Sequence, residues 1–288
     1  MYYYTNTLLN MIEIRNLSFG YARKSLLSKD LDLSLRRGHI YGLLGKNGAG
    51  KSTLLKNMIG LAYPQAGSCS FNGINVSGRP VAVLEEVYFL AEEVFVPSLT
   101  PEQFAASTAA FYPKFSNADF YQYLKALDVD STAAMDKQSF GQQKKAMIAF
   151  GLATNTGLLV MDEPTNGLDI PSKVQFRKLI ASLLTEDRCI IISTHQVRDL
   201  DSLIDTLLIL HDREIVVNHP IEEITEKITF GVFNDTTGMQ VLYEEDGMRG
   251  KNAIIKNTSG KFSKMDLELF FNAVTTGSGT LIQILKAD

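Results

Sequence analysis

Cysteine is nearly absent from this sequence. The 288 residues hold two, Cys69 and Cys189, far apart and outside any C-x-x-C pair. A disulfide scaffold or a cysteine-built zinc site is therefore excluded, and each thiol sits in strand-like sequence, where a small core residue belongs. A positive excess is lacking too. Lys and Arg total 28 against 32 Asp and Glu, a formal net charge of −4, which is the wrong sign for a nucleic-acid binder, so no nucleic-acid partner is expected. The opening MYYYTNTLLN has neither Lys nor Arg, so the basic start of a secretory leader is missing. No apolar run approaches the roughly 18 residues that span a bilayer. The longest candidate, Val81 to Val96, is interrupted by Glu85, Glu86, Glu92 and Glu93. These absences point to a cytoplasmic chain that serves a membrane, if it does, through a separate partner. Internal repeats and low-complexity runs are also lacking.

What is present describes a folded globular chain, 45% hydrophobic and 21% charged, long enough for one large α/β domain with an appendage or for two modest domains. Met11 opens an alternating strand pattern, and residues 1–10 read as a loose tail. A second strand-rich stretch, Leu31 to Leu35, precedes the Arg37-Gly38 turn and a buried-looking strand from His39 to Leu44. Residues 52–61 read as a helix, ended by Gly60 and Pro64. Strand-like pieces follow near Gly67–Phe71 and Val87–Leu90. From Thr100 the texture becomes helical: Thr100-Pro101-Glu102 resembles a capped start, and Phe120, Tyr123, Leu124 and Leu127 recur at helical spacing. This helical insertion, about residues 100–138, separates two strand-bearing halves. The second half carries apolar strands at Leu158–Met161 and Cys189–Ser193, and continuous apolar strands alternating with helices indicate a mostly parallel sheet covered on both faces. His219-Pro220 begins a different texture. Short strands at Ile228–Phe233, Met239–Tyr243 and Ala253–Ile255 with one helix, Met265–Val274, suggest a small α+β appendage over 219–288.

The segment Gly45-Lys46-Asn47-Gly48-Ala49-Gly50-Lys51-Ser52-Thr53 fits G-x-x-x-x-G-K-[ST], between a buried strand and a helix. Glycines allow φ > 0, so successive amides converge on phosphate oxygens, and the positive end of the following helix faces the same point. Lys51 neutralises phosphate charge, and the Ser52 hydroxyl is a Mg²⁺ ligand. In the second half, Leu158 to Glu163 is an apolar strand ending in two carboxylates, expected beside the strand that feeds the loop. Asp162 then holds Mg²⁺ through water, and Glu163 polarises the attacking water as general base. His195 sits at the carboxyl end of another apolar strand, where ligand chemistry collects in open α/β sheets, and is placed against the terminal phosphate.

Taken in order, these residues resemble the ATP-binding cassette (ABC) family, the ATPase subunits of ABC transporters, over about residues 11–218. Gly45–Thr53 looks like Walker A, Leu158–Glu163 like Walker B, Asn166-Gly167-Leu168-Asp169 like the D-loop and His195 like the switch histidine. Tyr21 matches the aromatic residue that stacks on adenine. Gln138-Ser139-Phe140-Gly141-Gln142 resembles the L-S-G-G-Q signature: Ser139, Gly141 and Gln142 fit, Gln138 replaces Leu, and Phe140 replaces the first Gly. At the hinge before the helical insertion the family places Gln, a Mg²⁺ and coupling residue; Glu92 stands there instead, with an oxygen still on offer but now charged.

The resemblance implies a P-loop NTPase fold: α/β with a mostly parallel sheet, an antiparallel β subdomain and the helical insertion, plus the small C-terminal α+β appendage. It implies two ATP molecules with Mg²⁺, sandwiched between two cassettes in a homo- or heterodimer. Ser139, Gly141 and Gln142 of one subunit would meet the γ-phosphate held by the other, with the D-loop Asp169 at the same interface. An integral membrane permease would be the further partner, at the inner face of the cell membrane. The Phe-containing signature, Glu92 and the Met265–Phe271 stretch resemble the exporter-type, ABC-2-like branch. Two other readings stay open on residues alone: a soluble cassette ATPase not coupled to transport, and an unrelated P-loop kinase, which would lack the Ser139–Gln142 signature and His195.

Overall fold

The structure is a computed structural model that describes residues 10–20, 27–248, 250–258, 260, 262–277 and 279–286. Tyr21 and nearly all of the expected N-terminal tail lie outside these residues. Asn10, assigned to that tail, already belongs to a strand.

The chain begins with β1 (Asn10–Phe19), β2 (Ser28–Arg36) and β3 (His39–Leu44), followed by α1 (Lys51–Met58), β4 (Ala66–Phe71), β5 (Ile74–Asn75), α2 (Val81–Leu84) and β6 (Val87–Leu90). The helical insertion holds α3 (Pro101–Thr108) and α4 (Asn117–Ala126), and α5 (Phe140–Ala153) leads back to the sheet. Next come β7 (Leu158–Asp162), α6 (Ile170–Ser182), β8 (Cys189–Thr194), β9 (Thr206–His211) and β10 (Glu214–Pro220). The C-terminal part is α7 (Ile221–Lys227), β11 (Ile228–Phe233), β12 (Val241–Gly247), β13 (Gly250–Lys256), α8 (Leu267–Thr275) and α9 (Gly279–Lys286).

Three sheets result. The central one has the order β10-β9-β3-β8-β7-β6, parallel except for the antiparallel β10 at its edge. β7 and β8 are buried along their whole length, as strands covered on both faces must be. The expected adjacency of the carboxylate strand to the loop strand is corrected: β8 lies between β3 and β7 and pairs with both. Leu158–Met161 and Cys189–Ser193 are equally apolar, and a pattern of burial cannot say which of two buried strands is central. An antiparallel sheet, β2-β1-β4-β5, shares one apolar cluster with the loop helix and one face of the central sheet, and β11-β13-β12 forms a third, antiparallel sheet.

Several boundaries move for local reasons. α1 starts at Lys51 and is over by Met58, because Gly60 takes φ 72° and the amides of Gly60 and Leu61 turn back to Asn57 and Lys56. Thr100 does cap α3 with a full capping box to Gln103. The expected break at 218/219 falls inside β10. Pro220 can end that strand because an edge strand spares the missing donor, and the same proline caps α7. The helices α7 and α9 were not expected; α9, Gly279 to Lys286, is short and glycine-led, which hides its period.

The helical insertion is fixed to the sheet by an aromatic cluster around Phe150 of α5, with Tyr88, Phe104, Tyr112, Phe115 and Phe120 at ring separations of 4.9–6.1 Å. The Tyr88 hydroxyl donates to the Met147 carbonyl. Gly151 leaves the space for that ring: a Cβ there would lie 2.2 Å from a Tyr88 ring carbon. Gly151→Ala is expected to cost about 1–3 kcal/mol through overpacking, read as a lower urea midpoint at unchanged slope; an unchanged midpoint would show that the contact is loose. Both cysteines are buried, and burial pushes the Cys69 thiol up to about 12 and Cys189 higher still. Neither thiol should react with a disulfide reagent at pH 8 until urea unfolds the chain; rapid native labelling would contradict this packing.

Candidate active site

Pairing along the central sheet decides where its strands stop. Leu44 of β3 is opposite Thr194 of β8, and Ser193 is opposite Asp162 of β7. The glycine loop, the two carboxylates and His195 therefore leave the sheet at one edge and at one level, the edge where open α/β sheets bind ligands.

The loop is shaped by Gly48 at φ 79° and Gly50 at φ 106°, conformations that an L side chain resists. The Ala49 amide donates to the Lys46 carbonyl at 3.1 Å, and the first i→i−4 bond of α1 runs from Leu54 N to Gly50 O. The helix therefore presents its N-terminus to the loop without a side-chain cap, an arrangement that favours an anion. Lys51 is buried and donates to the Gly45 carbonyl at 2.9 Å. Its ammonium lies 3.9 Å from a Glu163 carboxylate oxygen. Burial lowers the Lys51 pKa, and Glu163, Asp162 and Glu92 oppose that shift.

A cavity of about 450 Å³ opens here. Gly48, Gly50, Lys51 and Ser52 of the loop line it together with Glu92, Glu163 and His195. Asn47 and Thr53 also reach it, as does Leu27, which nothing in the sequence singled out. Gly45, Lys46 and Ala49 complete the loop without lining the cavity. Ser139 caps α5 by accepting from the Gln142 amide at 3.3 Å. Asp169 caps α6 by accepting from the Ser172 amide at 2.8 Å, and its hydrogen bonds to Ser172 hold its carboxyl below the usual range. Ser139, Gly141, Gln142 and Asp169 thus stand on helix starts outside this cavity. Tyr21 is not among the described residues.

Glu163 is held unusually firmly. It is a non-glycine residue at φ 46°, and 4% of its surface is exposed. One carboxylate oxygen accepts from the Thr194 hydroxyl at 2.9 Å. The other accepts from the His195 amide at 2.9 Å and meets His195 Nδ1 at 2.8 Å. A carboxylate only accepts, so Nδ1 carries the hydrogen when Glu163 is ionised, and Nε2 makes no bond to a described residue. Asp162 is buried behind this layer, accepts from the Ser193 hydroxyl, and does not line the cavity. Glu92 accepts from the Asn166 side-chain amide at 3.2 Å, and Gln196 donates to the Asn166 oxygen at the same distance.

Among the described residues no group of three or more His, Cys, Asp or Glu could hold a metal alone. The oxygens available, the Ser52 hydroxyl with Glu92 on the wall and Asp162 behind it, nonetheless suit Mg²⁺, which keeps waters and takes few protein ligands beside phosphate. The sequence did not reveal Ser193, Thr194 or Gln196, nor the contact of the D-loop Asn166 with Glu92. The first two could have been found, since the hydroxyls directly before His195 meet the carboxylates once β7 and β8 pair with Asp162 opposite Ser193.

A family model described as ABC transporter matches residues 28–166. The Nod factor export ATP-binding protein I of Burkholderia orbicola is 30% identical over 225 residues, covering 75% of this chain and 73% of that protein. The chain belongs to the family of ABC transporter ATP-binding proteins. The ABC transporter ATP-binding protein YtrB of Bacillus subtilis is 26% identical, with 75% of this chain and 74% of that protein covered. A solved ATP-binding subunit of an ABC transporter aligns with a TM-score of 0.66 at 26% identity, over 74% of this chain and 91% of that one. A dimeric cassette in a post-hydrolysis state, bound to ADP and Pi, shares the fold at 20% identity and a TM-score of 0.65, over 73% of this chain and 99% of that one. The fold is the P-loop NTPase fold, and the family is one of ATP hydrolases.

Within this ABC ATPase, Lys51 is buried against the loop and bonded to its Gly45 carbonyl. Lys51→Ala is expected to weaken ATP binding about 10–100-fold, the worth of one charge-assisted contact, measured by calorimetry; undiminished affinity would remove the loop from the binding site.

Proposed function

We propose that this chain is the nucleotide-binding subunit of an ABC transporter, which hydrolyses ATP at the interface with a second cassette to drive transport through a separate membrane subunit. The observation that carries this reading is the Glu163 carboxylate in the same cavity as Lys51 and Ser52, 3.9 Å from the Lys51 ammonium, its oxygens fixed by Thr194 and His195. A carboxylate so oriented and next to a phosphate-binding loop is suited to orient and deprotonate water. Lys51 and the α1 N-terminus bind the phosphates, while His195, anchored through Nδ1, turns Nε2 to charge developing on the transferred phosphoryl group. When bound, Mg²⁺ neutralises phosphate charge; Ser52, Asp162 and Glu92 would hold it. Tyr21 is assigned to the adenine.

The reading extends to a partner. Ser139, Gly141 and Gln142 at the start of α5, with Asp169 at the start of α6, are assigned to the second subunit's nucleotide. Relatives named for transport, including the bacitracin transport protein BcrA of Bacillus licheniformis and the Nod factor exporter, favour transport of the exporter type over an uncoupled ATPase. Among the described residues no helix is long and apolar enough to cross a membrane. The membrane path is therefore assigned to a permease, with this chain peripheral at the inner face, and residues 11–218 and 219–288 to the ATPase and a small C-terminal domain.

Glu163→Gln is expected to lower turnover about 10²–10⁴-fold, retain ATP binding and accumulate as an ATP-bound dimer in size-exclusion chromatography with light scattering. Wild-type hydrolysis by this variant would remove Glu163 as the base. For the coupling, the tagged full chain purified from solubilised membranes should bring with it a polytopic membrane protein that alters its ATPase rate. Recovery only as a soluble, fully active enzyme would favour the uncoupled ATPase.

A further inference from the structure

Lys144 stands in the second turn of α5 and is fully buried. Its ammonium forms no ion pair among the described residues. It donates instead to two main-chain carbonyls from different parts of the fold, Glu92 at 3.0 Å and Glu163 at 2.6 Å. The Phe140 ring lies beneath it, 5.5 Å from the ring centre. Burial lowers the Lys144 pKa, with Glu92, Glu163 and Asp162 opposing the shift. A buried ammonium is costly, and two neutral carbonyls compensate it less well than a carboxylate does. An apolar side chain would fill this position more cheaply, so the ammonium's worth lies in what it joins.

It joins three things. The first is the start of α5, whose first turn is pressed on the 166–169 turn: a Cβ on Gly167 would come within 2.8–3.0 Å of the Phe140 ring, and one on Gly141 within 2.8 Å of the Gly167 carbonyl. The second is Glu92, which Asn166 of that same turn also holds. The third is the peptide of Glu163 itself. At φ 46° this residue does not settle by preference, so a donor on its carbonyl helps fix the direction in which the carboxylate leaves the chain.

We propose that Lys144 is a positioning residue that ties the helix meeting the opposite subunit's nucleotide to the main chain of Glu163, so that the base of one site is set by engagement at the other. This rests on the paired-cassette reading given above. Phe140, where the signature departs from its usual small residue, supplies the floor on which the ammonium rests. The first turn of α5 and the Glu163 turn then shift together.

The experiment uses the full chain carrying Lys144→Met, which keeps the length and removes the donors, and Lys144→Arg, which keeps charge and donors. The Met variant is expected to lose about 10–100-fold in kcat, the cost of a displaced catalytic group, with ATP affinity and KM within about twofold of wild type. Lys144→Arg should recover kcat to within about fivefold of wild type. In a Glu163→Gln background, Lys144→Met should still form the ATP-bound dimer. A wild-type kcat for Lys144→Met would overturn the assignment. So would a parallel loss of kcat and nucleotide affinity, or an Arg variant as slow as Met despite equal melting temperatures. If Lys144→Met does not fold, the Arg variant decides alone: folded, with ATP binding intact and kcat within about fivefold of wild type, it supports the role; folded with kcat at the Glu163→Gln level, it overturns it. Failure of Glu163→Gln alone to dimerise with ATP would instead count against the paired reading, whatever Lys144 does.

Discussion

In a parallel sheet the strand ends meet at one level only if the register holds, and here the pairing of Leu44 with Thr194 and of Ser193 with Asp162 performs that alignment. A slip of one residue in β8 would turn every side chain to the opposite face. It would move the Thr194 hydroxyl off the Glu163 carboxylate and Ser193 off Asp162. The register is protected by the burial of β7 and β8 along their whole length, since a slipped strand would carry a serine or threonine into the apolar layers on either side. Core packing and chemistry thus share one cause: the residues that make the sheet impossible to shift are those whose last members hold the carboxylates.

Around that edge the molecule concentrates buried charge. Lys51, Lys144, Asp162 and Glu163 are all shielded from water, and each would be prohibitive alone. Together they are tolerable because every one is fixed by short-range partners: Gly45 and Glu163 around Lys51, Ser193 on Asp162, Thr194 and His195 on Glu163, and two carbonyls on Lys144. Such preorganised dipoles in a dry site are what phosphoryl transfer uses, since there is little covalent work for the protein to do. The same arrangement makes the site sensitive to small displacements, because water cannot compensate for a lost partner.

Much of this was legible in the sequence. The glycine loop, the apolar strand ending in Asp162 and Glu163, and the histidine after Ile190-Ile-Ile-Ser-Thr are local signals, and local signals survive reading one residue at a time. The capped start at Thr100 was legible for the same reason, though its box to Gln103 came only with the structure. Strand order was not, because the apolar stretches at 158 and 189 are alike and their neighbours are chosen by crossovers. The Lys144 contacts were hidden because a lysine beside a second lysine near a helix start looks solvated until the peptides it meets, 52 and 19 residues away, are placed. Asp169 carries a role that its place in a family pattern did not suggest: its carboxylate accepts from the Ser172 amide and starts α6.

The apolar layer under the central sheet does not stop where the texture of the sequence changes at Pro220. One continuous cluster takes in Ile40 and Leu44 of β3, Ile190 and Ile192 of β8, then Ile224, Ile254, Phe270, Leu281 and Leu285. During synthesis the chain emerges from its amino end, and domains commonly fold as they appear. The P-loop half of this chain cannot complete its interior until Leu285 has left the ribosome. From the emergence of β10 until then, the sheet keeps part of one hydrophobic face unsealed, and the nascent protein is open to misassembly over that interval.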